Sequence, residues 1–152
     1  MPKEFISKKS TNQIYIDDLK ILLNIKESIG PLNNAIHDKA ALIAIDILRG
    51  KHPGLILDYN NAGAGGFDLT GRKGKKLELI GEVKTTLIER KNSIMGPQMR
   101  KIKKDLERLK NKKVIHKYLI LVSEKVEKNL MKRIDFKKEY SEIKILTVFK
   151  GY

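Results

Sequence analysis

Apolar residues recur near helical spacing over 15–29, through Ile16, Leu19, Leu22, Leu23 and Ile29, and Gly30-Pro31 stops the pattern. A second helix is predicted over 32–49, where Ala40, Ala41, Ile43, Ala44, Ile47 and Leu48 make a broad apolar face. Gly50 and Pro53 mark its end. Residues 1–13 are polar and are expected to fray.

The period then changes. Residues 55–59 read as a short strand, and 60–66 (Asn-Asn-Ala-Gly-Ala-Gly-Gly) as a loop of residues that tolerate positive φ. Residues 67–70 form a second predicted strand, 71–74 a turn and 76–85 a third strand, giving an antiparallel meander. An amphipathic helix follows over 98–110, with Met99, Ile102, Leu106 and Leu109 as its buried stripe. The continuous apolar run over 118–122 suits a strand covered on both faces. A short helix over 127–135 and a strand over 143–149 complete the order. The chain is therefore read as α/β, a central mixed sheet flanked by helices. It contains no internal repeat or linker and is taken as one domain over 1–152, with 1–30 as a helical extension.

Composition narrows the partner. The net charge of +14, from 32 Lys and Arg against 18 Asp and Glu, favours a polyanion, and nucleic acid is the expected one. The plain alternative is a lysine surplus that serves solubility, or that reflects a hot environment. An anionic membrane is disfavoured because no long amphipathic helix carries aromatic anchors. Cysteine is absent, which excludes disulfides and thiolate metal sites. No apolar stretch approaches a bilayer-spanning length, and the N-terminus lacks a signal-peptide apolar region. A cytoplasmic protein is expected.

The candidate chemistry lies in Gly66-Phe67-Asp68-Leu69-Thr70 and Leu79-Ile80-Gly81-Glu82-Val83-Lys84-Thr85-Thr86. Residues two apart on a strand share a face, so Glu82 and Lys84 point one way while Val83 points into the core. Asp68 can sit beside Glu82 from the neighbouring strand. Converging carboxylates suit a hard ion such as Mg²⁺, and a nearby lysine can orient water or stabilise charge on a phosphate. Taken singly, these residues are as well explained by a strand-end acid and an exposed cross-strand ion pair.

The order of helix, strands, acid, Glu-x-Lys, helix and strand resembles the PD-(D/E)XK nuclease superfamily. Locally, Gly63-Ala64-Gly65-Gly66-Phe67-Asp68 leading to Gly81-Glu82-Val83-Lys84-Thr85-Thr86 is similar to NO VEIN C-terminal-type domains. The likeness runs from about Asp38 to Val122. It implies a restriction endonuclease-like core and a Mg²⁺-dependent endodeoxyribonuclease, with Mn²⁺ able to substitute. Asp68, Glu82 and the Val83 carbonyl would hold the ion, and Lys84 would position the water or stabilise the phosphate. The products would be a 5′-phosphate and a 3′-hydroxyl. Many relatives carry a glutamate on the first core helix, where Ala41 or Leu42 stands here; Asp38, or the adjacent His37, can reach the site instead.

Beyond this centre, Gln98 begins the third predicted helix beside Arg100 and Lys101, with Lys104 a turn further on. These residues, with Asn60 and Asn61 of the glycine-rich loop, are the expected DNA contacts; a solvated helix face and a flexible turn are the plain alternatives. The loop runs into a strand rather than a helix, which rules out a dinucleotide fingerprint. His37, His52 and His116 lack metal-binding spacing. The expected partner is double-stranded DNA, cut by a homodimer of a type II restriction kind. Leu19, Leu22 and Leu23 offer a dimer surface, unless they pack on the second helix instead. The alternatives are a Holliday-junction resolvase, a catalytically silent DNA-binding module and a ribosome-associated basic protein.

Overall fold

The structure, a computed structural model, describes residues 11–29, 32–60, 65–88, 93–94 and 96–150. Its elements run α1 (Thr11–Ile29), α2 (Asn33–Lys51), β1 (Ile56–Tyr59), β2 (Leu69–Lys73), β3 (Lys76–Lys84), α3 (Gly96–Asn111), β4 (His116–Leu121), α4 (Glu124–Arg133), α5 (Phe136–Glu139) and β5 (Ile143–Thr147). The strands form one sheet in sequence order. β1, β2 and β3 pair antiparallel, whereas β3, β4 and β5 pair parallel, so the sheet is mixed as the periodicities predicted.

Alternation along the interior strands divides the core into two layers. Leu79, Val83, Tyr118 and Ile120 pack with Leu19 and Leu23 of α1 and Ile36, Ala40, Ala41 and Leu48 of α2. Ile80, Leu119 and Leu121 face the other way, onto Met99, Ile102, Leu106 and Leu109 of α3 and Val126 and Leu130 of α4. Each parallel step crosses over through helices on that second face, as two successive crossovers of one hand require. The apolar stripe predicted for α3 is buried throughout. Leu19 and Leu23 are fully buried, so these two pack in the core and offer no dimer surface; Leu22 is half-buried and packs against the same cluster.

Several boundaries differ from the sequence reading. Thr11 to Gln13 belong to α1 rather than to a frayed end, and α3 takes Gly96 and Pro97 into its first turn. Proline is tolerated there because the first helical N–H groups have no intrahelical acceptor. The predicted turn over 71–74 is instead mostly strand. Gly71 lies within β2, where a Cβ would stand 2.7 Å from Leu57 Cδ2 and 2.8 Å from Leu79 Cβ. It is glycine because neighbouring side chains close over it, and the chain reverses at Gly74, whose φ is +59°. α4 begins at Glu124, three residues before the predicted start, because Ser123 caps it by accepting from the Lys125 N–H at 3.2 Å.

Candidate functional site

β3 extends past the end of its pairing with β2, whose last partners there are Leu69 and Gly81. Asp68 lies just before β2 rather than on it. Its Oδ2 accepts the Val83 backbone N–H at 2.8 Å, continuing the ladder with a side chain. In an extended strand a residue's N–H and C=O point to the same edge, so the Val83 carbonyl shares the edge that Asp68 occupies. Glu82 and Lys84 project onto the α3 face, as the two-residue period predicted, and Val83 packs into the α2 core.

α3 meets these two side chains with the opposite charges. Arg108 pairs with Glu82, and Asp105, one turn earlier, pairs with Lys84. Arg108 Nη2 also donates to the Gly66 carbonyl at 2.5 Å, and its guanidinium lies over the Phe67 ring at 4.7 Å. In sequence Arg108 is one more cation on the polar side of α3. It is half-exposed, yet it reaches a glutamate only 3% exposed. The signal was present, since a helix pair three apart can face a strand pair two apart, but the nine Lys and Arg from Arg100 to Lys117 hid it.

The carboxylates carry opposed shifts. Burial, and then the charge of Asp68, push the Glu82 carboxyl up to about 8, with Arg108 pulling only partly against them. Burial also acts upward on Asp68, but hydrogen bonds from His37 and from the Val83 N–H outweigh it and hold that carboxyl below its ordinary value. His37 Nε2 lies 3.3 Å from Asp68 Oδ1, and its Nδ1 lies 3.4 Å from Asp38 Oδ1. That contact with Asp68 raises the imidazole above its ordinary value. His37 precedes Ala41 by one helical turn and brings α2 to Asp68. Asp38 touches the centre through His37.

The donor set fits a hard divalent ion. The Asp68 carboxylate shares an edge with the Val83 carbonyl and lies within hydrogen-bonding reach of Glu82, whose carboxyl is pushed up to about 8 by burial and then by Asp68. A dication would remove that conflict. Among the described residues no group of three or more His, Asp or Glu side chains is placed to hold a metal ion.

The expected DNA contacts divide. Arg100, Lys101 and Lys104 are exposed on α3, and Arg100, Lys104 and Arg108, each four apart, form a cationic strip that ends at Glu82. Gln98 is half-buried, and its Oε1 has no hydrogen-bond partner among the described residues. Asn60 is committed to closing its own loop: its Nδ2 donates to the Phe67 carbonyl at 2.8 Å and its backbone N–H to the Asp68 carbonyl at 2.9 Å. These two bonds clasp the loop beside Asp68. Asn61 lies outside the described residues. His52 donates to or accepts from the Tyr118 hydroxyl at 2.8 Å and stacks near His116, away from the carboxylates. Among the described residues no helix is long and apolar enough to cross a membrane. No known protein family, curated protein or solved structure matches the chain.

Proposed function

We propose that this chain is a divalent-cation-dependent endodeoxyribonuclease with a restriction endonuclease-like core. The observation that carries this reading is the convergence of Asp68 and Glu82 beside Lys84, at the point where β2 leaves β3. The order α2, β1, β2, β3, α3, β4 agrees with the helix, three strands, helix and strand of the resembled superfamily. The net charge of +14 and the strip on α3 supply the attraction for a phosphate backbone.

Asp68, Glu82 and the Val83 carbonyl would hold Mg²⁺, or Mn²⁺ in its place. A divalent ion supplies Lewis acidity toward a phosphoryl oxygen and lowers the pKa of water at neutral pH. The chain's own groups do the rest. Asp105 holds the Lys84 ammonium at the open end of β3, where it can orient an attacking water and offset charge gathering on the phosphate. His37 and the Val83 N–H fix Asp68 in its ionised form. Arg100, Lys101 and Lys104 would track the DNA backbone. One such site cuts one strand, so cleavage of a duplex calls for two copies of the chain.

Incubation with plasmid, linear duplex and four-way junction DNA, with Mg²⁺ or with EDTA, tests the reading. Discrete Mg²⁺-dependent fragments from the duplex, ending in 5′-phosphates, support a restriction-type enzyme. Cleavage of the junction alone would favour a resolvase. The neutralisation of both Glu82 and Lys84 by α3 is what favours a silent DNA-binding module, and binding without any cleavage would establish that reading instead.

A further inference from the structure

Arg108 is positioned to serve two partners. Both of its hydrogen bonds, to Glu82 and to the Gly66 carbonyl, use Nη2. Its side chain is 45% exposed while its glutamate partner is 3% exposed, so one edge of the guanidinium faces the carboxylates and the rest faces solvent. The Phe67 ring, 4.7 Å from the guanidinium carbon, is a platform that keeps the group in place when one hydrogen-bond partner is lost. Lys104 and Arg100, one and two turns earlier on the same strip, lead a phosphate backbone toward that solvent-facing edge.

We propose that Arg108 is a partner-exchanging positioning residue: it neutralises Glu82 until that carboxylate takes a divalent cation, and then grips a phosphate of the DNA at the Gly66–Phe67 edge. The inference rests on the nuclease reading of Asp68, Glu82 and Lys84. The physics is a competition for one carboxylate. A dication at Glu82 satisfies its charge and repels the guanidinium beside it, which favours a new anionic partner within the same reach. A planar fork of donors suits a phosphate, whose two oxygens it can engage together, better than a lysine does. DNA affinity and cation binding are thereby coupled through one side chain, and the coupling is reciprocal.

The test compares the wild-type chain with Arg108→Met and Arg108→Lys in two equilibrium measurements. Mn²⁺ affinity is read by electron paramagnetic resonance of the free ion. Affinity for a short duplex is read by fluorescence anisotropy, in Ca²⁺ and in EDTA. Measured at pH 9, where the proton no longer competes for Glu82, Arg108→Met should bind Mn²⁺ roughly tenfold more tightly, because the competing guanidinium is gone. It should bind duplex about tenfold more weakly in Ca²⁺, with the salt slope reduced by about one, and lose far less in EDTA. Arg108→Lys keeps the charge and the stem, so it keeps the fold if the methionine variant does not. It should retain near-native Mn²⁺ affinity and lose part of the Ca²⁺-linked duplex affinity. Equal losses of duplex affinity in Ca²⁺ and EDTA would make Arg108 an ordinary backbone contact and overturn the exchange. So would unchanged or weakened Mn²⁺ binding in Arg108→Met. If the wild-type chain itself binds no Mn²⁺, the reading of the carboxylate pair fails instead.

Discussion

The Val83 backbone N–H donates to Asp68 Oδ2 at 2.8 Å, so the residue between Glu82 and Lys84 in the chain is also the one that anchors the second carboxylate. Three side chains from two segments are thereby referred to one short stretch of β3. Asp68→Ala removes the acceptor together with the proposed cation ligand, and leaves a buried N–H unpaired. It should lower stability by about 1–3 kcal/mol in urea unfolding. Asp68→Asn keeps an acceptor for Val83 and should lose less stability, yet it should abolish DNA cleavage as completely. Equal stability losses in the two variants would show that the hydrogen bond is not what holds Asp68.

Lys84 is held by Asp105 beside the carboxylates and away from the exposed strip of Arg100, Lys101 and Lys104. Lys84→Ala should therefore reduce the cleavage rate by roughly 10²–10⁴ while leaving duplex affinity within a few-fold of the wild type. Single-turnover cleavage and anisotropy on the same preparation separate the two effects. A fall in affinity that accounts for the whole loss of rate would move Lys84 from the chemistry to DNA binding.

Glu82 makes stability depend on pH and, under the proposed function, cation binding with it. Its carboxyl is pushed from an ordinary 4.5 to about 8, so between those values the unfolded chain has released a proton that the folded chain keeps. In EDTA, this group's contribution to stability is fully present below pH 4.5 and is lost as pH rises to about 8. His37, raised by its contact with Asp68, acts in the same direction above its ordinary 6.5. Thermal unfolding of Glu82→Gln in EDTA should accordingly show a flatter decline with pH than the wild type. Mn²⁺ binding should displace about one proton at pH 7 and almost none at pH 9, read by calorimetry in buffers of different ionisation enthalpy. Parallel pH slopes in the wild type and Glu82→Gln would contradict the assignment.

Leu23 is fully buried between α1 and the sheet layer. Leu23→Ala should lower stability by about 2–5 kcal/mol in urea unfolding, while sedimentation should show the oligomeric state unchanged. A variant of native stability with an altered assembly would return that face of α1 to the role of a subunit contact.

Much of this molecule is legible from its residue pattern. The stripe Met99, Ile102, Leu106 and Leu109 gave α3 its buried side, and the run from Tyr118 to Val122 gave a strand covered on both faces, because burial dictates those periods directly. The alternation of Glu82, Val83 and Lys84 gave the side-chain directions at the site for the same reason. What stayed hidden depends on contacts between distant segments. Arg108 looks like any other cation of a lysine-rich helix until Glu82 lies beneath it. In sequence His37 stands beside Asp38 as able to reach the site, but its pairing with Asp68 exists only once α2 packs on the sheet. Gly71 reads as a turn residue because crowding by Leu57 and Leu79 leaves no mark on local sequence. Asn60 reads as an outward loop polar group, although its hydrogen bonds close the loop on itself.

The most direct measurement is the anomalous scattering of crystals soaked in Mn²⁺ above pH 8, where Glu82 has released its proton. The account predicts a peak between Asp68 and Glu82 on the edge shared with the Val83 carbonyl, with the Arg108 guanidinium turned from Glu82. Crystals that show no peak there, with Glu82 still paired to Arg108 and Asp68 still bridging His37 and Val83, would contradict it.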